Sequence, residues 1–218
     1  MHDRRFAAFL FDMDGTIINS IEVAIDAWRK WACRHGLDAD EVTQAMHGVR
    51  AAETIARFAP AGTDIDHEVA LLTDAEFAAV DKIKAIAGAR LFLTALPHDR
   101  WAIVTSSPRR LALQRITAAG LPMPKVLITA EDVIAGKPAP DCFIAAANRL
   151  EVEISDCLVW EDAPAGIAAG KAAGATVMIV TATHANPATN AGATIVDYQN
   201  LACKIGPDGT LMLKQIGR

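Results

Sequence analysis

The sequence predicts an α/β fold built on a doubly wound, mostly parallel β-sheet. Two observations carry this prediction. Short apolar runs of strand character recur along the second half of the chain, and a segment of helical character separates each run from the next. Strands that alternate with helices join through crossovers into parallel sheets, and strands this apolar must be covered on both faces. The runs are WAIVTSS (101–107), KVLITAE (125–131), CLVWED (157–162) and ATVMIV (175–180).

The first predicted strand, FAAFLF (6–11), ends abruptly in two aspartates, Asp12 and Asp14, which Gly15 and Thr16 follow at once. Like charges this close repel each other, so they need a partner that compensates the charge. A polar turn after a strand would explain either aspartate alone. The pair is therefore the first candidate for a functional site.

Residues 20–85 contain no strand-like run of comparable strength. Their helical character predicts an all-helical insertion after the first strand. Its first segment, SIEVAIDAWRKWACRHG, starts with an N-cap residue type and ends with a glycine stop signal, Ser20 and Gly36. We predict one domain made of residues 1–18 and 86–218, and a helical domain made of residues 19–85 inserted after the first strand. The first segment places four apolar residues on one helical face: Ile21, Ile25, Trp28 and Ala32. Three further helical segments are DADEVTQAMHG, AAETIARFAP and DHEVALLTDAEFAAV, broken at Gly48, Pro60 and Gly62.

The alternating pattern resumes near Gly88. The helical segments PRRLALQRITAAG, PDCFIAAANRL and PAGIAAGKAAG fill the gaps between the four strand-like runs. The C-terminal stretch KIGPDGTLMLKQI predicts a small hairpin that turns at Pro207, Asp208 and Gly209.

The composition of the 218-residue chain argues against several classes of protein. A net charge of −5 and a pI near 5.7 disfavour binding to nucleic acid, which needs a basic face. The four cysteines lie far apart without a C-x-x-C pair, so they predict neither a zinc site nor a disulfide framework. The apolar stretches are too short for a signal-peptide core or a membrane span. We expect a cytoplasmic protein without a membrane partner, and the lack of a long exposed apolar edge favours a monomer.

Polar residues collect where the predicted parallel strands end, which is where open α/β sheets bind their ligands. Each has an ordinary explanation alone, such as a helix cap for the hydroxyls or a solvated loop for the lysine. Their combination at one sheet edge predicts a shared site. Besides the two aspartates, the residues are Thr105, Ser106 and Ser107 after the strand at 101–104, Lys137 in the loop AGKPAPD, and Glu161 and Asp162 after the strand at 157–160.

The carboxylates predict a magnesium site. Mg²⁺ accepts one or two carboxylates, completes its shell with water and substrate phosphate, and relieves the repulsion between the acids. We expect the side chains of Asp12 and Asp162 to face the ion. Asp14 can offer its backbone carbonyl to the metal while its side chain points at the reacting group. Glu161 is either a further metal ligand or a structural partner of Lys137.

Together these groups predict phosphoryl transfer. A carboxylate beside Mg²⁺ and a lysine can attack phosphorus and form an aspartyl-phosphate. Hydroxyl and backbone N–H groups of Ser106 and Ser107, at the start of a helix, can hold phosphate oxygens. Lys137 can balance the charge on the nucleophile and on the transferring group.

The motifs DMDGT, VTSS, GKPAPD and VWEDAPAGIAAGKAAGA resemble the four motifs of the haloacid dehalogenase-like superfamily, in order and spacing, over essentially the whole chain. The helical insertion resembles the cap domain of the β-phosphoglucomutase-like branch. Within that branch, the chain is most similar to bacterial sugar-phosphate phosphatases, including the hexitol and hexose phosphate phosphatases. The resemblance implies a Rossmann-like core, Mg²⁺ as cofactor, and a small phosphorylated sugar or polyol as substrate.

The resemblance also implies roles for single residues. Asp12 is the nucleophile and Asp14 the general acid and base. Lys137 stabilises the developing charge, and Asp162 ligates Mg²⁺ with Glu161 behind it. The hydroxyls at 105–107 bind phosphate.

In the cap, His47, Gly48 and Arg50 lie where relatives contact substrate, although a surface role explains Arg50 equally well. The chain has Asn19-Ser20 where many relatives have Asp-Ser. That departure leaves the four motifs intact.

Two other functions stay open. A phosphomutase would use the same site, but relatives that are mutases carry a histidine on the first cap helix where this chain has Ala24. A regulatory module would keep the fold without the chemistry, but such proteins usually lose the nucleophile or the lysine, and Asp12 and Lys137 are both present. Dehalogenase chemistry is disfavoured because it needs no metal and typically lacks the second aspartate. Hydrolysis of sugar phosphates is the leading prediction.

Overall fold

The structure, a computed structural model, describes residues 4–183 and 192–216. Its centre is a six-stranded sheet in which every neighbouring pair of strands is parallel, and this confirms the predicted fold class. The strands are β1 Arg5–Phe6, β2 Ala8–Phe11, β3 Ile18–Asn19, β4 Lys84–Ala85, β5 Trp101–Val104, β6 Val126–Ile128, β7 Cys157–Glu161, β8 Thr176–Val180, β9 Ala193–Ile195, β10 Leu201–Ile205 and β11 Leu211–Gln215. The helices are α1 Ile21–Arg34, α2 Ala39–Ala45, α3 Ala51–Phe58, α4 Ile65–Ala78, α5 Ala89–Thr94, α6 Arg109–Ala118, α7 Asp141–Arg149 and α8 Pro164–Ala172.

The strand order in the main sheet is β6-β5-β2-β7-β8-β9. The chain therefore runs outward from β2 through β5 and β6, and then returns to the other side of β2 through β7, β8 and β9. This reversal leaves a crevice at the carboxyl end of β2, between the ends of β5 and β7. Crevices of this kind bind ligands in open α/β sheets, and Asp12 is the residue that follows β2 into it.

Both faces of β2 are covered, as its uninterrupted apolar sequence predicts. Ala8 and Leu10 pack on one face against residues of α7 and α8. Phe9 and Phe11 alternate with them and pack on the other face, where the rings of Phe11 and Trp160 stack with their centroids 5.3 Å apart. The strand that leads to Asp12 is therefore held rigidly from both sides.

Helices α1 to α4 occupy the predicted insertion and pack around a hydrophobic core of their own. A short antiparallel ribbon that the sequence did not predict closes the insertion, with Ile18 of β3 opposite Ala85 of β4. The two connections leave the sheet side by side, so their backbone groups satisfy each other's hydrogen bonds. No helix in the described ranges is long and apolar enough to cross a membrane. The buried residues of the insertion core include Trp28, Trp31, Val42, Ile55 and Leu72.

Two of the strand-like runs extend three residues past the strands they contain, and in the first of them the strand ends at Val104, as predicted. The run at 101–107 leaves the sheet after Val104, and the run at 125–131 leaves it after Ile128. In the second case Thr129 and Asp132 form a capping box instead of continuing the strand. The polar residues at the ends of these runs therefore belong to the crevice and its surroundings, and only the apolar residues belong to the sheet.

The predicted C-terminal hairpin is confirmed, since β10 and β11 pair antiparallel across a turn at 206–210. The short strand β1 adds to the free edge of β11 and gives a small sheet of order β1-β11-β10. The sequence did not predict β1, β9 or α5. Each spans six residues or fewer, which is too short for a periodic pattern to develop.

One buried carboxylate ties two helices of the insertion together. Glu68 of α4 accepts a hydrogen bond from Nε1 of Trp31 on α1 at 2.9 Å, and Arg34 of α1 also pairs with it. Glu68 and Trp31 are both buried. A buried donor that loses its acceptor destabilises a protein more than the bond itself stabilises it.

We therefore expect Glu68→Met to lower the free energy of unfolding by about 2 kcal/mol or more, because it keeps the side-chain length and leaves the Trp31 N–H without its acceptor. The measurement is urea denaturation followed by circular dichroism. Asp66→Met is the matched control, since Asp66 is exposed in the same first helical turn and loses the same charge. Equal losses of stability in the two variants would contradict the structural role of Glu68.

Candidate active site

A fully buried lysine stands at the centre of the candidate site. The Nζ atom of Lys137, in the loop between β6 and α7, donates to Asp12 Oδ1 at 2.5 Å and to Glu161 Oε1 at 2.7 Å. It also donates to the carbonyl of Val104 at 3.2 Å. Three acceptors match the three N–H groups of the ammonium. Burial alone would lower the pKa of Lys137, but the carboxylates of Asp12 and Glu161 outweigh burial and raise that pKa.

Glu161, the last residue of β7, is completely buried. While Oε1 contacts Lys137, Oε2 accepts hydrogen bonds from the backbone N–H groups of Asp162 and Ala163 at 2.9 and 3.0 Å. Gly166 makes room for this side chain, because a Cβ there would lie 1.5 Å from Glu161 Oε1. Of the two roles that the sequence left open for Glu161, the partnership with Lys137 is present. A direct metal contact stays a prediction.

Asp12, Glu161 and Asp162 form a candidate metal centre. One carboxylate oxygen of each lies within 4.8 Å of the others, and all three residues are buried. Three carboxylates face one ammonium, so negative charge is in excess. Burial raises the pKa of Asp12 and Glu161, and the opposing effect of Lys137 does not cancel this. An all-oxygen donor set with surplus negative charge fits a hard divalent cation such as Mg²⁺.

The turn after β2 holds Asp162 in place. Thr16 Oγ1 donates to Asp162 Oδ1 at 3.0 Å, and the hydroxyl of Tyr198 donates to the Thr16 carbonyl at 3.2 Å. Gly15 has a φ of +85°, and a Cβ there would lie 2.1 Å from Asp162 Oδ2. Glycine is required because it alone lets the turn close against this carboxylate without strain or collision.

Asp14 occupies a different environment from Asp12. One oxygen accepts from Ser20 Oγ at 2.5 Å and from Arg115 Nη1 at 2.8 Å, and the other accepts from Ser107 Oγ at 2.9 Å. The Asp14 side chain is 24% exposed, against 7% for Asp12. Ser20 holds the predicted N-cap position, but its hydroxyl serves Asp14 instead of helix α1. Both aspartates line the crevice, but Asp12 also belongs to the buried cluster, whereas Asp14 is the more exposed of the two.

The loop of Thr105, Ser106 and Ser107 connects β5 to α6 and lines the crevice, as predicted. The backbone N–H of Ser107 donates to Thr105 Oγ1 at 3.0 Å. Ser106 Oγ donates to the carbonyl of Gly48 at 2.9 Å and so joins the loop to the helical insertion. The loop leads into the N-terminus of α6, where backbone N–H groups favour anions.

The helical insertion forms the opposite wall of the crevice, and Gly48 lies on it. Arg50 is not among the residues that line the crevice. Its guanidinium pairs with Glu53 and donates to the carbonyl of Val133 at 3.3 Å, which ties the insertion to the loop after β6. A role of Arg50 in substrate binding stays a prediction. The apolar residues of this wall are Ile21, Ala24, Trp28, Met46, Val49, Ala51 and Leu72.

The sequence reasoning missed a buried ion pair beside Asp14. Arg115 of α6 is 2% exposed, and its guanidinium contacts Asp14 with one nitrogen and Glu76 of α4 with the other. The sequence carried a signal that Arg115 is buried, although not of its partners. Arg115 falls beside Ile116 and three residues after Ala112, on the buried face of α6, where a charged side chain needs a partner.

Known proteins share this chain's sequence over most of its length. Residues 6–174 match a family model described as haloacid dehalogenase-like hydrolase. The chain is 40% identical over 190 residues to hexitol phosphatase A of Escherichia coli, a match that covers 85% of this chain and 88% of the relative. It is 37% identical over 187 residues to glycerol-1-phosphate phosphohydrolase 2 of Saccharomyces cerevisiae, covering 81% of this chain and 75% of the relative.

Solved structures share the fold. A hydrolase from Pseudomonas syringae superposes with a TM-score of 0.77 at 26% identity, over 88% of this chain and 94% of that one. A β-phosphoglucomutase from Clostridium difficile has a TM-score of 0.76 at 19% identity, over 89% and 92%, and supports the fold alone. Because the family model spans every residue of the candidate site, from Asp12 to Asp162, the chain belongs to the haloacid dehalogenase-like hydrolase family.

Proposed function

We propose that the chain is a Mg²⁺-dependent phosphatase that hydrolyses small sugar or polyol phosphates through an aspartyl-phosphate on Asp12. The observation that carries this proposal is the division between the two aspartates. Both line the crevice, but Asp12 is bonded to the buried Lys137, whereas Asp14 is surrounded by hydrogen-bond donors. Relatives named as a hexitol phosphatase and a glycerol-1-phosphate phosphohydrolase support a phosphoric monoester hydrolase with a substrate of this size.

In the first half-reaction, Asp12 Oδ2 attacks the phosphorus of the substrate. A bond forms between this oxygen and phosphorus, the bond to the ester oxygen breaks, and the leaving alkoxide takes a proton from Asp14. Lys137 orients the nucleophile through its bond to Asp12 Oδ1. The hydroxyls at 105–107 and the backbone N–H groups of Ser106 and Ser107 hold the phosphate oxygens.

In the second half-reaction, Asp14 is a carboxylate and takes a proton from water. The water oxygen attacks phosphorus, the bond to Asp12 breaks, and inorganic phosphate leaves, which restores both side chains. Asp14 suits this role because it faces the crevice, where water and the leaving group both have access. Mg²⁺ would be held by Asp12, Asp162 and the backbone carbonyl of Asp14. When bound there, it would neutralise charge on the phosphoryl group.

Purified protein should release inorganic phosphate from a panel of hexitol, hexose and glycerol phosphates in the presence of Mg²⁺, and a chelator should abolish the release. Asp12→Asn should lower turnover by about three orders of magnitude or more, because it removes the nucleophilic charge and keeps the side-chain size. Circular dichroism checks that the variant is folded. The proposal fails if the Mg²⁺-loaded parent turns over nothing in the panel, or if Asp12→Asn keeps activity within about tenfold of the parent.

Asp14→Asn and Asp162→Asn should separate proton transfer from metal binding. Asp14→Asn should lower turnover of a hexitol phosphate by about 10²-fold to 10⁴-fold, with Mg²⁺ affinity nearly unchanged, because the backbone carbonyl remains. Asp162→Asn should weaken Mg²⁺ binding directly, since a ligand carboxylate is lost. Titration calorimetry with Mg²⁺ reads affinity independently of turnover. A large loss of Mg²⁺ affinity in Asp14→Asn would assign that side chain to the metal.

The alternative of a phosphosugar mutase needs its own test, because the insertion brings His47 to the crevice although position 24 is alanine. We expect glucose 1-phosphate to yield glucose and inorganic phosphate without accumulation of glucose 6-phosphate. Coupled assays for the two products measure the outcome. Efficient isomerisation would favour the mutase, and loss of that isomerisation in His47→Ala would then identify the group responsible.

A further inference from the structure

A buried ion pair crosses from the helical insertion to Asp14. Arg115 Nη1 donates to Asp14 Oδ1 at 2.8 Å and to Ser107 Oγ at 3.0 Å, and Nη2 donates to Glu76 Oε2 at 2.8 Å. Glu76 belongs to α4 of the insertion, and Arg115 belongs to α6. Asp14 and Ser107 lie in the loops that follow β2 and β5. The side chains of Arg115 and Glu76 are only 3% and 10% exposed.

The geometry of a guanidinium gives this bridge a direction. Its nitrogens lie in a rigid plane, so a carboxylate that holds one nitrogen also fixes where the other nitrogen points. Glu76 holds Nη2, and Nη1 consequently meets Asp14 and Ser107. Burial keeps water from competing for these bonds, which makes each stronger than the same bond at the surface.

The bridge from Glu76 to Arg115 depends on the packing of α4 of the insertion against α6. Other contacts also join the same two parts, among them those from Ser106 to the Gly48 carbonyl and from Arg50 to the Val133 carbonyl. If α4 moved away from α6, Arg115 would lose the carboxylate that orients its outer nitrogen. The orientation of Asp14 is therefore linked to the position of the insertion.

We infer that Arg115 and Glu76 are positioning residues, which orient the Asp14 carboxylate for proton transfer when the insertion covers the crevice. The inference rests on the proposed function, because it takes Asp14 as the group that moves the proton. It makes enclosure of the substrate and alignment of the acid and base a single event. Neither residue needs to touch the reacting atoms.

The test compares two substrates that differ in their need for a proton. The leaving group of p-nitrophenyl phosphate hardly needs one, whereas that of sorbitol 6-phosphate does, and kcat/KM reports the half-reaction in which these groups leave. Glu76→Gln should lower kcat/KM for sorbitol 6-phosphate by about 10-fold to 100-fold, the range expected for a misplaced catalytic group. The loss for p-nitrophenyl phosphate should be clearly smaller.

Asp74→Asn is the matched control for Glu76→Gln. Asp74 lies on the same helix and pairs with Arg110 of α6 at 3.5 Å, but both of these side chains are about two-thirds exposed, at 67% and 70%. This variant should leave both values of kcat/KM unchanged. If Glu76→Gln and Asp74→Asn give the same ratio of kcat/KM between sorbitol 6-phosphate and p-nitrophenyl phosphate, the inference is wrong.

A double-mutant cycle separates positioning from direct contact with the substrate. In an Asp14→Asn background, Glu76→Gln should cause no further change in the ratio, because the group that it positions is already disabled. A change of the same size in that background would mean that Glu76 touches the substrate, which overturns the inference.

Arg115 is tested together with Glu76, so that the buried Glu76 carboxylate is not left unpaired. Asp14 loses the guanidinium in the double variant, but its side chain is 24% exposed and keeps two hydroxyl donors. The double variant Arg115→Met/Glu76→Met removes both charges together and should fold, since apolar replacement of a buried pair is tolerated. Its kcat/KM for sorbitol 6-phosphate, relative to that for p-nitrophenyl phosphate, should fall at least as far as in Glu76→Gln. Arg115→Lys should show an intermediate fall in this ratio, because an ammonium lacks the rigid fork of a guanidinium. If the folded double variant has the same ratio of kcat/KM between the two substrates as the parent, the inference is wrong.

The proposed function and the inference fail in different ways. If the parent hydrolyses neither substrate, the proposed function is wrong. If the parent is active and the variants leave the ratio unaltered, only the inference is wrong.

Discussion

The site depends on one interaction, the burial of the Lys137 ammonium between Asp12 and Glu161. A buried charge that loses its partner costs about 3–5 kcal/mol, so all three side chains must stay in place together. They come from the end of β2, the loop after β6 and the end of β7, and the Val104 carbonyl adds the end of β5. The contact that balances charge in the site is therefore also one that holds the carboxyl ends of the central strands together.

Two aspartates one residue apart can take different roles because their side chains meet different partners. Asp12, directly after β2, pairs with the buried Lys137, whereas Asp14, directly before the turn at Gly15, pairs with Arg115. Each aspartate has its own cationic partner, which compensates the repulsion expected between the two like charges. Asp12 has the ammonium of Lys137, and Asp14 has the guanidinium of Arg115. The pair is tolerated because its members do not share a counter-ion.

Local patterns predicted the parallel sheet and most of the site, because parallel strands bring their carboxyl ends to one edge whatever their order. A lysine at 137 and acids at 161 and 162 could thus be placed together without knowing the packing. The partnership of Arg115 with Glu76 was out of reach, since the two residues lie 39 positions apart on helices of different layers. For Arg50 the sequence left a substrate contact and a surface role open. The structure shows its pair with Glu53, three residues further on, and the substrate contact stays a prediction.

The two halves of the crevice differ in what they contribute. The sheet edge carries the metal candidates, the ammonium and the hydroxyl loop, whereas the insertion carries mainly apolar side chains together with Glu76. Substrate preference can therefore vary through the insertion while the buried cluster around Lys137 stays intact. Two residues of the insertion depart from this division, because Ser20 donates to Asp14 directly and Glu76 reaches Asp14 through Arg115. At these positions, a change on the insertion also reaches the candidate acid and base.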